Sequence, residues 1–139
     1  MNTIEFQPLI TLTLAPTTGT GLWSTFETIL QERSEILDCT GLTRVVIGIE
    51  LLHSYVDSAA TRPSLILQMT DRPEDDDSWA DVFTTGTTTA ANYILTLMSG
   101  IPLGEAYRLQ KALRWKVTFG QPGAADQSRI SFRITISAN

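Results

Sequence analysis

At 139 residues, with 42% hydrophobic and 18% charged side chains, the chain has the length and apolar content of one globular domain, which excludes a disordered polymer. Its net charge of −5 excludes the basic surface that non-specific nucleic-acid binding requires, and gives no attraction to an anionic membrane. No apolar run approaches the about 20 residues of a transmembrane helix, and the opening Met1, Asn2, Thr3, Ile4 and Glu5 lack the basic start and apolar segment of a signal peptide.

Taken in chain order, residues 4–14 predict an opening strand with Ile10, Leu12 and Leu14 on one face. Residues 16–21, with Pro16, Gly19 and Gly21, predict a loop. Residues 22–30 fit two periods: Leu22, Phe26 and Leu30 suit a helix, while Trp23, Thr25, Glu27 and Ile29 suit a strand. Their aromatic and β-branched content favours the strand. Residues 34–39 read as another short strand ending at Cys39. As the sole cysteine, Cys39 cannot close an intrachain disulfide; it reads as a small buried apolar residue, and suits a cytosolic origin. The apolar run of residues 44–55 predicts a long strand in which Gly48 marks a bulge or a close backbone approach.

Residues 57–63 predict a loop, and residues 64–70 a strand with Leu65, Leu67 and Met69 facing one way. An acidic turn follows over residues 71–78, and the next strand is expected to start at Trp79. After a Thr-rich stretch, residues 93–97 read as a strand, and residues 101–110 are the one place where a helical turn is expected. Residues 113–119 alternate again and stop at Gly120, Gln121, Pro122 and Gly123, a strong turn. The last strand, residues 129–137, puts Ile130, Phe132, Ile134 and Ile136 on one face and Arg, Ser and Thr on the other, so the chain is expected to end inside a sheet. Eight or nine strands with closely spaced turn signals predict an all-β chain. It is expected to form a single-domain antiparallel β-sandwich over residues 1–139, jelly-roll or discoidin-like. Its expected core includes Leu65, Leu67, Trp115, Val117, Phe119, Phe132 and Ile134.

Few residues suggest chemistry. Glu74, Asp75, Asp76 and Asp77 have the oxygen ligands that calcium takes, but lack EF-hand spacing and its distal Glu, so a solvated turn without a tightly bound metal is expected. His53, the sole histidine, has no local motif marking a nucleophile beside it, and catalysis is not expected. Gly19, Thr20 and Gly21 lack the following Lys of a phosphate loop. Trp23, Trp79 and Trp115 could form a platform for a sugar; the alternation favours the core for Trp115 and, less strongly, for Trp79. Arg108, Lys111, Arg114, Lys116, Arg129 and Arg133 make the last third basic against the acidic residues 74–81, an asymmetry that suits contact between copies of the chain.

Residues 65–71, the acidic turn, the Trp79, Ala80, Asp81, Val82, Phe83 run, the Arg-containing strand 113–120 and the closing Phe132, Arg133, Ile134, Thr135, Ile136 resemble a pattern in small β-sandwich structural proteins of phages and prophages. A similar strand order occurs in discoidin-like carbohydrate-binding sandwiches. The chain departs from the phage pattern by a longer acidic tip without glycine and by the insertion at residues 101–111. The resemblance implies a non-enzymatic capsid decoration or accessory virion component without cofactor, assembled in the host cytoplasm. Its partners would be copies of itself or a capsid or tail protein, with no nucleic acid and no membrane. A strand at either terminus is expected to offer an open edge that a neighbouring chain can cap, and deleting the start of the first strand, residues 4–14, is expected to weaken assembly. The alternative reading is a carbohydrate-binding module using Trp23 or Trp79.

Overall fold

The computed structural model describes residues 2–14, 27–56, 62–86, 88–102, 104–105, 107–119 and 128–139. In chain order its strands are β1 (Asn2–Leu14), β2 (Glu27–Leu30), β3 (Leu37–Asp38), β4 (Arg44–Val56), β5 (Ser64–Thr70), β6 (Ala80–Thr84), β7 (Ala91–Met98), β8 (Ala112–Phe119) and β9 (Ser128–Ala138). They form two antiparallel sheets. The first runs β1-β9-β4-β7 and the second β2-β8-β5-β6, with the two-residue β3 also pairing with β8.

Setting β3 aside, the remaining strands nest: first with last, second with second-last, and so inward to β5 with β6. One long hairpin is thus wound into two facing sheets, which is the strand order of a jelly roll. Of the two sandwich types open at the sequence level, the jelly roll is the one formed. Its cause is visible in the alternation. Ile130, Phe132, Ile134 and Ile136 on β9 meet Leu65, Leu67 and Met69 on β5 and Leu113, Trp115, Val117 and Phe119 on β8, all buried in one core. Trp115 and Phe132 join the sheets edge to face, with ring centroids 5.2 Å apart and planes at 77°. All seven residues expected in the core are there.

Several local expectations change. Residues 34–39 are not one strand: a 3-10 turn at Arg33–Glu35 precedes the short β3. The ladder between β2 and β3 is completed instead by buried Gln31, whose N–H donates to the Trp115 carbonyl (3.1 Å) and whose Oε1 accepts the Trp115 N–H (3.1 Å). Trp79 lies outside the strand, closing a 3-10 turn at Asp76–Ser78. Among the described residues of 101–110 reverse-turn bonds are found, in which the Pro102 and Glu105 carbonyls accept from the N–H groups of Glu105 (3.3 Å) and Arg108 (3.2 Å). Gly100 and Gly104, at φ of 83° and 91°, keep this segment from continuing as a helix. Gly48 is not at a bulge; that lies between Leu51 and His53. A Cβ at Gly48 would stand 2.9 Å from Thr135 Oγ1, so the close approach is to a side chain. Residues 16–26 (with Trp23 and the Gly19–Gly21 run), residues 57–61 and the Gly120–Gly123 turn lie outside the described residues.

Candidate interaction surfaces

The outer face of the second sheet is crossed by a polar chain. Arg114 points outward from β8, yet it is only 8% exposed. Its guanidinium lies 4.1 Å from the centre of the Trp79 ring, and its Nε–H donates to Gln68 Oε1 (2.9 Å) on β5. Gln68 Nε2 donates to Asp81 on β6 (2.8 Å), and Lys116 Nζ stands 3.5 Å from the same carboxylate. Burial lowers the Arg114 pKa, and neighbouring Asp76 opposes that shift. In the sequence Arg114 is one of a basic block; only the pairing of β8 with β5, and the turn that carries Trp79, bring these partners together.

The acidic turn folds onto itself and onto this face. Asp75 accepts the Asp77 N–H (3.0 Å), the single Ser78 hydroxyl proton is shared between the Arg72 and Asp75 carbonyls (2.8 and 2.7 Å), and Asp76 pairs with Arg33 at 2.7 Å. Asp71 accepts from Arg108 Nη1 at 3.1 Å. The acidic and basic blocks therefore meet within the chain, because the turn and β8 flank the same sheet. Between this turn and the β2–β3 connection opens a cleft of about 490 Å³, edged by Arg33, Asp38, Glu74 and Lys111. Hydrogen bonds from the Thr40 hydroxyl and N–H hold the Asp38 carboxyl below its usual range. Its rim mixes both signs of charge, so it offers no single-sign field for a charged ligand. Beside it, burial and the nearby Asp38 charge push the Cys39 thiol up to about 12.

The outer face of the first sheet is different. Thr3 and Ser137 (2.9 Å) and Thr11 and Ser131 (2.7 Å) pair hydroxyls across β1 and β9, and Arg133 pairs with Glu50 between β9 and β4. The β4 bulge turns His53 onto this face, where it stacks on Tyr55 with centroids 5.6 Å apart. His53 sits opposite Ser131, whose hydroxyl is bonded to Thr11, and His53 Nε2 is buried without a partner among the described residues. At the β7 edge, Ile94 is 81% exposed. Trp115 is core, its Nε1–H donating to Gln7 (3.0 Å); Trp79 is half-buried with one ring face under Arg114.

No family model matches the chain, and no curated protein matches it. Among solved structures, a chain in the structure of infectious bursal disease virus, Gt strain, superposes on 97% of this chain with a TM-score of 0.53 and 15% sequence identity. This chain spans 31% of that one, and at such identity the likeness is one of fold.

Proposed function

We propose that the chain is a non-enzymatic structural component of a virus particle, phage or phage-like, serving as a capsid decoration or accessory protein held by copies of itself or by a shell protein. The observation that carries this reading is the two-sheet jelly roll, similar over 97% of its length to a chain in a virus structure. Jelly rolls also occur in lectins and cupins, so fold alone does not assign a role. The described surfaces support the structural reading over these. Trp115 is buried, and Trp79 is half-buried with one ring face under Arg114, which weighs against a sugar platform at these two; Trp23 lies outside the described residues. His53 faces a serine already bonded elsewhere, and the cleft rim mixes charges of both signs with, among the described residues, no nucleophile bonded to a base. The exposed faces are hydroxyl-rich strands and edges, which suit protein contacts.

The test is to tag the protein in cells that produce the particle and separate the particles on a density gradient. The expected result is comigration of the tagged chain with intact particles, visible by antibody labelling in micrographs. A chain that stays with the soluble fraction, and binds a glycan saturably until Trp79→Ala abolishes it, overturns the proposal in favour of a carbohydrate module.

A further inference from the structure

Each sheet has two edges, and three of the four are blunted. β1 carries Pro8, Glu5 and two register shifts. β6 has five residues, includes Asp81 and is bulged against β5. β2 has four residues, begins with Glu27 and gives way to a 3-10 turn. Short length, charge, proline and bulges are the means by which proteins keep edges from pairing. β7 has none of them: eight residues, Ala91–Met98, without charge or proline, in unbroken register with β4. It lies in residues 82–104, which carry no charged side chain in a chain with 10 basic and 15 acidic residues.

The hydrogen bonds at its end show which groups face outward. Met98 N–H donates to the Tyr107 carbonyl (3.0 Å) and its own carbonyl accepts from Leu109 (2.9 Å), both away from β4. The next residue, Ser99, donates toward β4, to the Thr43 carbonyl (3.0 Å). Strand residues alternate, so Asn92, Ile94 and Thr96 turn their N–H and C=O groups to the open edge, while Tyr93, Leu95 and Leu97 serve the β4 ladder.

We infer that β7 is a self-pairing edge, joining two copies antiparallel about a two-fold axis at Ile94, so that the first sheets of both copies run on as one. Ile94 of one copy then lies opposite Ile94 of the other, and Asn92 opposite Thr96. These are the residues with outward groups, and each pair exchanges both backbone bonds. An axis at Leu95 would require the Met98 groups already bonded to Tyr107 and Leu109. The register also covers the most exposed large apolar side chain among the described residues, Ile94, at 81%. The register points to a second copy as the occupant, since the outward groups of Asn92, Ile94 and Thr96 are self-complementary about Ile94, and charge does not forbid it there. Two chains of net charge −5 repel, and the seam contains no charge to be set against its like. A single strand edge falls in the transient class, below about 1,200 Å² of buried surface, so pairing is concentration-dependent in solution and strengthened where many copies are held together. This deepens the proposed structural role and rests on it for its purpose, not for its occurrence.

The full chain tests it directly. Hydrogen-bonded partners stand about 5.5 Å apart at Cα, within disulfide reach. Ile94→Cys is therefore expected to give a covalent dimer on mild oxidation. Asn92→Cys alone gives none, because its two copies sit about 13 Å apart in this register, while Asn92→Cys with Thr96→Cys does. Native Cys39, 2% exposed, does not compete. By light scattering, the wild type is expected to approach twice the 15.3 kDa of one chain as concentration rises, and Ile94→Lys to remain at one. Should Ile94→Lys fail to fold, the cysteine series decides. A wild type that stays at one chain mass throughout, or Asn92→Cys cross-linking as well as Ile94→Cys, overturns the seam. A chain that comigrates with particles but gives no Ile94→Cys dimer loses the seam and keeps the structural role; one that cross-links yet never comigrates keeps the seam and loses the role.

Discussion

The two sheets share one core, yet their outer faces are finished differently. On the second sheet the connections at residues 31–36 and 71–79 are joined by Arg33 and Asp76 (2.7 Å), and beneath them Trp79, Arg114, Gln68, Asp81 and Lys116 form a continuous polar layer. On the first sheet the polar residues are mostly short hydroxyls paired across β1 and β9, and the β7 edge is left unblunted. The same period-two alternation produced both faces. What separates them is whether a connecting segment bends back over the strands, and that makes one face a product of the chain's own closure and leaves the other available.

The largest effect is expected where the two sheets meet. Phe132, fully buried, packs edge to face on Trp115, so Phe132→Ala removes the contact that ties β9 to β8. The cost is expected to be about 3 to 5 kcal/mol in urea denaturation. A loss under about 1 kcal/mol would mean that the sheets do not depend on a common core.

Next comes a paired comparison of two arginines, one from each outer face. Arg114→Ala strips Gln68 of its buried donor and uncovers Trp79, and is expected to cost about 1 to 3 kcal/mol. Arg133→Ala removes a side chain that is 46% exposed and paired with Glu50, and is expected to cost about 0 to 1 kcal/mol. Equal losses would erase the distinction between a closed face and an open one.

Much of this was legible in the residues. Alternation located Leu65, Leu67, Trp115, Val117, Phe119, Phe132 and Ile134 in the core, because a half-buried strand writes its facing directly into a period of two. Two things were not. The burial of Arg114 depends on a ring from residue 79 arriving over residue 114, a long-range meeting that local patterning does not encode. The first strand is an edge, as expected, but it is bulged and sends Phe6 into the core and Gln7 to Trp115, and the unblunted edge is β7. The final strand is not an edge, since it lies between β1 and β4. A signal for β7 was present in the uncharged residues 82–104, but it means little until strand order makes β7 an edge. Within the chain the acidic and basic blocks meet through Lys116 with Asp81 (3.5 Å), a pairing set by strand order that local patterning does not encode.

The closed end should also respond to alkali. Burial, and then the charge of Asp38, raise the Cys39 thiol from its ordinary 9.0 to about 12, so the folded chain holds this proton where the unfolded chain has released it. The sign follows: the contribution is complete below about pH 9 and is lost as pH climbs toward about 12. Melting temperature is expected to fall more steeply across that window in the wild type than in Cys39→Ala. Labelling by a thiol reagent at pH 8 should track unfolding rather than proceed in the native chain. Rapid labelling without loss of structure would show that this end is open.

The smallest effect on stability is expected at the site proposed to matter most for assembly. Ile94 is 81% exposed on an edge strand, and its N–H and C=O face away from β4. Ile94→Lys therefore removes no buried contact and breaks no ladder bond. Lysine on an edge is a common means of keeping strands apart, and its stem can still lie along the outer face beside Gly48. The melting midpoint of dilute protein is expected to shift by no more than about 0.5 kcal/mol equivalent, as for a surface substitution. In concentrated protein the wild type should melt higher than Ile94→Lys, because association stabilises the folded chain by mass action. A large loss in dilute solution would show that Ile94 supports the fold itself, and the first sheet would then be as closed as the second.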